Sequence, residues 1–107
     1  MTDRIQMLLD IHQESPEDTF VLFALGKEHQ SQKDWKQAQY FYQLLIQTDE
    51  EYVGVYYHLG KLYEAQSQLE KAINTYKKGI EIATKVGDLH ARSELAGACM
   101  AIDEDFE

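Results

Sequence analysis

Two lysines, Lys27 and Lys61, stand 34 residues apart in this 107-residue chain, and an aromatic residue precedes each by four positions: Phe23 before Lys27, Tyr57 before Lys61. On a helix, that spacing puts both side chains on one face. A cation backed by an aromatic surface suits the grip of a carboxylate beside an aromatic or aliphatic anchor. Phe20 and Gln30 flank the first pair and Glu64 follows the second. Phe20, Phe23, Lys27, Gln30, Tyr57, Lys61 and Glu64 are therefore the candidate peptide-binding residues. The plainer alternative is that the lysines are solvated helix residues and the aromatics cover the core.

Other chemistry finds little support. The histidines His12, His29, His58 and His90 are far apart, and none pairs with another histidine or with Cys99 at zinc-ligand spacing. No metal or cofactor is expected. Cys99 lies in the small-residue run Ala96-Gly97-Ala98-Cys99-Met100-Ala101 and reads as a helix-contact residue, with no histidine placed to activate it. There is no glycine-rich phosphate loop and no nucleophile elbow. Glu14, Glu17 and Asp18 cluster near a helix start, where they complement the helix dipole. The chain is not expected to be an enzyme, because no nucleophile, base and electrophile converge.

The net charge of −9 and pI near 4.8 disfavour nucleic acid and anionic membrane surfaces as partners. The N-terminal residues are polar and of mixed charge, unlike a signal peptide. No apolar stretch approaches the roughly 18 residues of a membrane helix. One cysteine excludes an internal disulfide. A soluble cytoplasmic protein is the expectation.

The elements that must position the candidate residues come from an internal repeat. Residues 19–52 align without a gap on 53–86, with identities at Val21/Val55, Leu25/Leu59, Gly26/Gly60, Lys27/Lys61, Gln32/Gln66, Ala38/Ala72, Tyr42/Tyr76 and Ile46/Ile80. Unrelated sequences of this composition would give roughly two. Leu22, Leu25, Gly26 and His29, then Tyr56, Leu59, Gly60 and Tyr63, follow the i, i+3, i+4, i+7 spacing of a helical stripe. Trp35, Ala38, Tyr42 and Leu45 form a second stripe, repeated as Leu69, Ala72, Tyr76 and Gly79. A glycine within a helix costs about 1 kcal/mol relative to alanine, so its recurrence at one register predicts close approach of the second helix. Short polar connectors, 31–34 and 65–68, join antiparallel neighbours, with Asp34 and Ser67 as the expected caps. Of Tyr40 and Phe41, one is expected on the outer side.

The pattern Leu22-x2-Leu25-Gly26-x2-His29, then Ala38, Tyr42 and Leu45, resembles the tetratricopeptide repeat. The second unit, with Tyr56, Leu59-Gly60, Tyr63, Ala72 and Tyr76, resembles it more closely. It departs at Gly79, where alanine is usual, and at Thr84, where proline is usual; the first unit departs at the proline position Glu50. The resemblance is strong over 16–86. It implies an all-α helix–turn–helix solenoid of two full repeats, with an N-terminal helix and a C-terminal capping helix. Single-domain boundaries follow: helix 2–14, repeat one 17–50, repeat two 51–86, capping helix 88–102, acidic tail 103–107. The N-terminal helix, with Ile5, Leu8, Leu9, Ile11 and His12 inward, reads as half of a truncated unit. Pro16 falls where the family places its helix-starting proline. Gly87-Asp88 reads as a helix stop and a cap, and a three-residue shift places Ala96-Gly97 at the close contact of the last helix.

In this family the first helix of each unit lines a concave face, where ligand peptides lie. That implies a groove bearing the seven candidates, followed by Glu94 and Ala98. Family members that clamp chaperone C-termini carry a lysine where Phe23 and Tyr57 stand and an asparagine where Lys27 and Lys61 stand, so that clamp is not implied. The expected function is a protein-interaction scaffold. The alternative is a structural subunit that pairs with a second copy through its terminal helices, using Leu8, Ile11, Leu95 and Met100.

Overall fold

Three aspartates open three of the helices. Asp18, Asp34 and Asp88 each accept a hydrogen bond from the backbone N–H three residues on, at Val21 (3.2 Å), Gln37 (3.3 Å) and Ala91 (3.0 Å). Such caps satisfy donors that a helix start leaves open. The computed structural model describes residues 3–106. Among these lie six helices and no strand: α1 (Asp3–Glu14), α2 (Thr19–Ser31), α3 (Trp35–Thr48), α4 (Gly54–Ala65), α5 (Leu69–Val86) and α6 (Leu89–Ile102). Thr2 and Glu107, the outer ends of the expected first helix and tail, lie outside the described residues. The protein is an all-α helical repeat fold. No helix among the described residues is long and apolar enough to cross a membrane.

The chain divides into two compact units, one ending at Glu50 and the other beginning at Glu51. In the first unit α2 packs along α3, and α1 packs on α2. Leu22, Leu25, Ala38, Tyr42 and Leu45 are fully buried there, joined by Ile5 and Leu8 from α1. In the second unit α5 packs against both α4 and α6, around Val55, Leu62, Ala72, Tyr76, Leu95 and Cys99. Burial of these side chains is the main stabilising term, since helices this short are marginal alone.

The repeated glycines face the repeated tyrosines. The Tyr42 ring lies against the Cα of Gly26, and the Tyr76 ring against that of Gly60, so closely that a Cβ on either glycine would overlap ring carbons. The missing side chain makes room for an aromatic ring from the neighbouring helix, as the paired glycines led one to expect.

Several details differ from the sequence expectation. Ser67 does not cap α5. It sits in the left-handed region at φ 60°, as Lys33 does at φ 61° one repeat earlier. Each closes the preceding helix: Lys33 N–H donates to Gln30 O and Asp34 N–H to His29 O, and the same bonds recur from Ser67 and Gln68 to Glu64 and Tyr63, all at 2.9 Å. This double closure satisfies the last carbonyls of α2 and α4. Gln68 then occupies the cap position without a side-chain bond. Leu69, expected in the inner stripe, is 48% exposed at the first position of α5. Pro16 lies in the turn before Asp18 rather than at the start of the helix.

Gly97 does not mark the close contact of α6, since nothing lies within 4 Å of its would-be Cβ. The close approach is at Gly79 on α5, where a Cβ would stand 2.6 Å from Tyr56 Cβ and 2.9 Å from Leu95 Cδ1. The departure from alanine at Gly79 thus makes room for two neighbouring helices. Of the residues offered for pairing with a second copy, Leu8 and Leu95 are buried in their own units, whereas Ile11 and Met100 are exposed.

Candidate functional site

Each unit carries the same four-residue arrangement. In the first, Tyr42 is buried on α3 and its hydroxyl donates to Gln30 Oε1 on α2 at 2.6 Å. Phe23, two turns before Gln30 on α2, tilts against the Tyr42 ring with centroids 6.3 Å apart. Lys27 holds its ammonium 5.4 Å from the Phe23 centroid, a cation–π distance. In the second unit the Tyr76 hydroxyl donates to Glu64 Oε2. Tyr57 tilts against Tyr76 at 6.5 Å, and Lys61 stands 5.5 Å from the Tyr57 centroid. The helical spacing 23-27-30, repeated as 57-61-64, puts aromatic, cation and polar group on one helix face, and the tyrosine from the next helix backs them.

The two arrangements differ in charge. Glu64 lies 3.6 Å from Lys61 Nζ, so that lysine already has a carboxylate partner. The corresponding residue in the first unit is the neutral Gln30, and no carboxylate among the described residues pairs with Lys27. Burial pushes both tyrosine hydroxyls well above their ordinary range, and the Glu64 carboxylate raises Tyr76 further. Both phenols are therefore neutral hydrogen-bond donors at physiological pH.

Phe20 lies at the start of α2 with 65% of its surface exposed. Together with Phe23 and Ala24 it lines a small cleft whose rim carries Arg4, Lys27 and Glu28. Arg4 comes from α1, and its Nε donates to Glu28 Oε2 at 3.0 Å. Thus Phe20, Phe23, Lys27 and Gln30 gather in the first unit, and Tyr57, Lys61 and Glu64 in the second. Glu94, on α6, is exposed and lies 3.8 Å from His90 Nε2.

Sequence reasoning placed Tyr42 and Tyr76 only in the core. Their identity across the repeat, with Gln30 and Glu64 at matching positions, was the available signal for the hydroxyl contacts. Nothing in the sequence signalled Arg4, which reaches its partner across 24 residues.

Among the described residues no group of three or more His, Cys, Asp or Glu side chains could hold a metal ion. Cys99 is fully buried, and burial, followed by the nearby Asp103, raises its thiol above the usual range. His29 is buried, with its ring stacked on Phe41 at 5.7 Å, and His12 meets the same ring edge-on at 5.8 Å. Phe41 is accordingly buried, and Tyr40 is the outward member of that pair.

Comparison with known proteins agrees with the repeat architecture. No curated protein gives a match. A tetratricopeptide repeat family model matches residues 53–86. Among solved structures, the solution structure of a tetratricopeptide repeat domain protein from Salinibacter ruber is 41% identical, covering 85% of this chain and 92% of that one, with a TM-score of 0.79. A crystal structure of the same Salinibacter domain gives 40% identity, coverage of 82% and 98%, and a TM-score of 0.76. SycD, a type III secretion translocator chaperone of Yersinia enterocolitica, shares the fold at 14% identity, with a TM-score of 0.85 over 94% of this chain and 70% of that one. With glycine–tyrosine contacts repeated in each unit, and a Salinibacter domain this similar along nearly its whole length, the chain belongs to the tetratricopeptide repeat family.

Proposed function

We propose that this chain is a cytoplasmic binding scaffold that holds partner segments through its two aromatic–lysine faces, without a catalytic step. Repeats of this family mediate protein–protein interaction. The observation that carries the reading is the duplication itself: Phe23, Lys27, Gln30 and Tyr42 in one unit match Tyr57, Lys61, Glu64 and Tyr76 in the other, distance for distance. Core packing accounts for the tyrosines, but it does not require a lysine over an accessible ring twice. Each face presents an apolar surface, a cation and a hydrogen-bonding group within reach of one extended peptide residue or two.

A displayed random-peptide library, selected on immobilised protein, tests this. The parent should enrich peptides that combine acidic with apolar residues. A Phe23→Ala/Lys27→Glu/Tyr57→Ala/Lys61→Glu variant, shown folded by circular dichroism, should lose them. Equal enrichment on parent and variant would move the binding surface elsewhere.

A second reading rests on a different observation. Met7 (64%) and Ile11 (44%) on α1, and Leu89 (68%) and Met100 (61%) on α6, expose large apolar surface. In that reading the terminal helices pair with a second copy. Light scattering at tens of micromolar decides it, since a monomer there refutes pairing.

A further inference from the structure

The two lysine faces are duplicated in shape but not in charge, and a cleft adjoins the lysine of the first unit. Phe20, Phe23 and Ala24 floor a cleft of about 170 Å³, with Arg4, Lys27 and Glu28 on its rim. Of the two rim cations, Arg4 is paired with Glu28 at 3.0 Å. Lys27 is exposed, held over the Phe23 ring at 5.4 Å, and unpaired with any carboxylate among the described residues. The cleft therefore carries one unneutralised positive charge on a chain whose net charge is −9. Its volume falls below the roughly 300–1,000 Å³ of small-molecule pockets and suits one protein side chain.

We infer that this cleft is the anchor of the proposed scaffold: it takes an aromatic or aliphatic side chain of a partner segment on Phe20 and Phe23, and Lys27 binds a carboxylate on the adjacent partner residue. This inference deepens the binding reading above and rests on it. It assigns the specificity for acidic partners to the first unit. In the second unit, an incoming carboxylate would have to displace Glu64 from Lys61 and would meet Glu64 as a like charge. Gln30 imposes no such repulsion at the equivalent position, because it is neutral and its carbonyl oxygen is occupied by the Tyr42 hydroxyl. It also makes α1 part of the binding surface: Arg4 holds Glu28 in an ion pair, which turns that carboxylate away from the role of partner to Lys27.

Fluorescein-labelled peptides of Gly and Ser carrying a central Phe-Glu, Phe-Gln or Phe-Lys pair provide the probe. Binding is followed by anisotropy and by backbone amide shifts of the full chain. Phe-Glu should bind about two- to fivefold more tightly than Phe-Gln, the range expected for a partly exposed ion pair, and Phe-Lys most weakly. The largest shifts should fall at Ala24 and Lys27. Lys27→Met should abolish the preference for Phe-Glu, and Lys36→Met, at an exposed lysine outside both faces, should leave it intact. Shifts confined to Tyr57 and Lys61, or a preference lost with Lys61→Met and kept with Lys27→Met, would overturn the anchor assignment and leave the scaffold reading standing. Absence of binding by every peptide at millimolar concentration would overturn both.

Discussion

Replacing Gly60 by alanine adds one methyl group, and its effect separates two physical terms of opposite sign. In a helix interior, alanine is favoured over glycine by about 0.5–1 kcal/mol, so propensity alone predicts stabilisation. At Gly60 the new Cβ would stand 2.6 Å from Tyr76 Cδ1 and Cζ, with Cε1 closer still. The ring cannot swing aside freely, because Tyr76 is fully buried and its hydroxyl is tied to Glu64. Overpacking costs about 1–3 kcal/mol, and loss of a hydrogen bond to a charged group about 1.5–3 kcal/mol more if the ring is displaced. The net expectation is destabilisation of about 2–5 kcal/mol, a fall in Tm on the order of 10 °C or more for a domain this size. Gly97→Ala is the control: Gly97 also lies inside a helix, but nothing stands within 4 Å of its would-be Cβ. That variant should gain the propensity term alone, about 0.5–1 kcal/mol. Thermal unfolding followed by far-ultraviolet circular dichroism measures both. If Gly60→Ala raises Tm as Gly97→Ala does, the Tyr76 ring does not lie on Gly60 and the helix contact described above is wrong.

Further expectations concern turns, titration and caps. The left-handed conformation of Lys33 and Ser67 costs a residue with a Cβ about 1–2 kcal/mol, a penalty that glycine escapes, so Lys33→Gly and Ser67→Gly should each raise the denaturation midpoint in urea. Above pH 10 the unfolded chain ionises Tyr42 and Tyr76 while the folded chain keeps both protonated, because their hydroxyls are raised. The folded state then binds more protons, and stability should fall with rising pH by about 1.4 kcal/mol per unit per tyrosine. Urea titrations between pH 9 and 11 should show a shallower loss for Tyr76→Phe than for the parent; equal slopes would contradict the assignment. Asp88→Ala removes the cap of α6 and should cost about 1 kcal/mol in the same urea assay.

The helices were legible because burial imposes a period on the sequence: Leu22, Leu25, Tyr42, Leu59 and Tyr76 recur at helical spacing, and all are buried. Asp34 and Asp88 were legible as caps because a carboxylate at a helix start has one simple local use. Ser67 was misread because its backbone conformation follows from how α4 closes, a bond pattern that serine does not announce. Phe41 was undecided because its burial depends on His12, which α1 brings to it from a distant part of the chain. At the candidate site the lysine–aromatic pairing was visible in the spacing. The exchange of Gln30 for Glu64 was visible too, but the pairing of Glu64 with Lys61 was not, because it depends on which way the carboxylate turns, and a sequence does not state side-chain direction. Gly79 looked like a departure from the family pattern. Its cause, two helices meeting at one point on α5, appears only in three dimensions.

The glycine–tyrosine contact also bears on how fast each unit forms. Gly26 and Tyr42, and likewise Gly60 and Tyr76, are 16 residues apart. Closing a loop of about this length costs little chain entropy and takes on the order of 10–100 ns. Both buried aromatic contacts can thus form before any residue distant in sequence has been found, and each helical hairpin carries its own test of correct register. A chain so rich in near-neighbour contacts has the low contact order of helical bundles, which fold in microseconds to milliseconds.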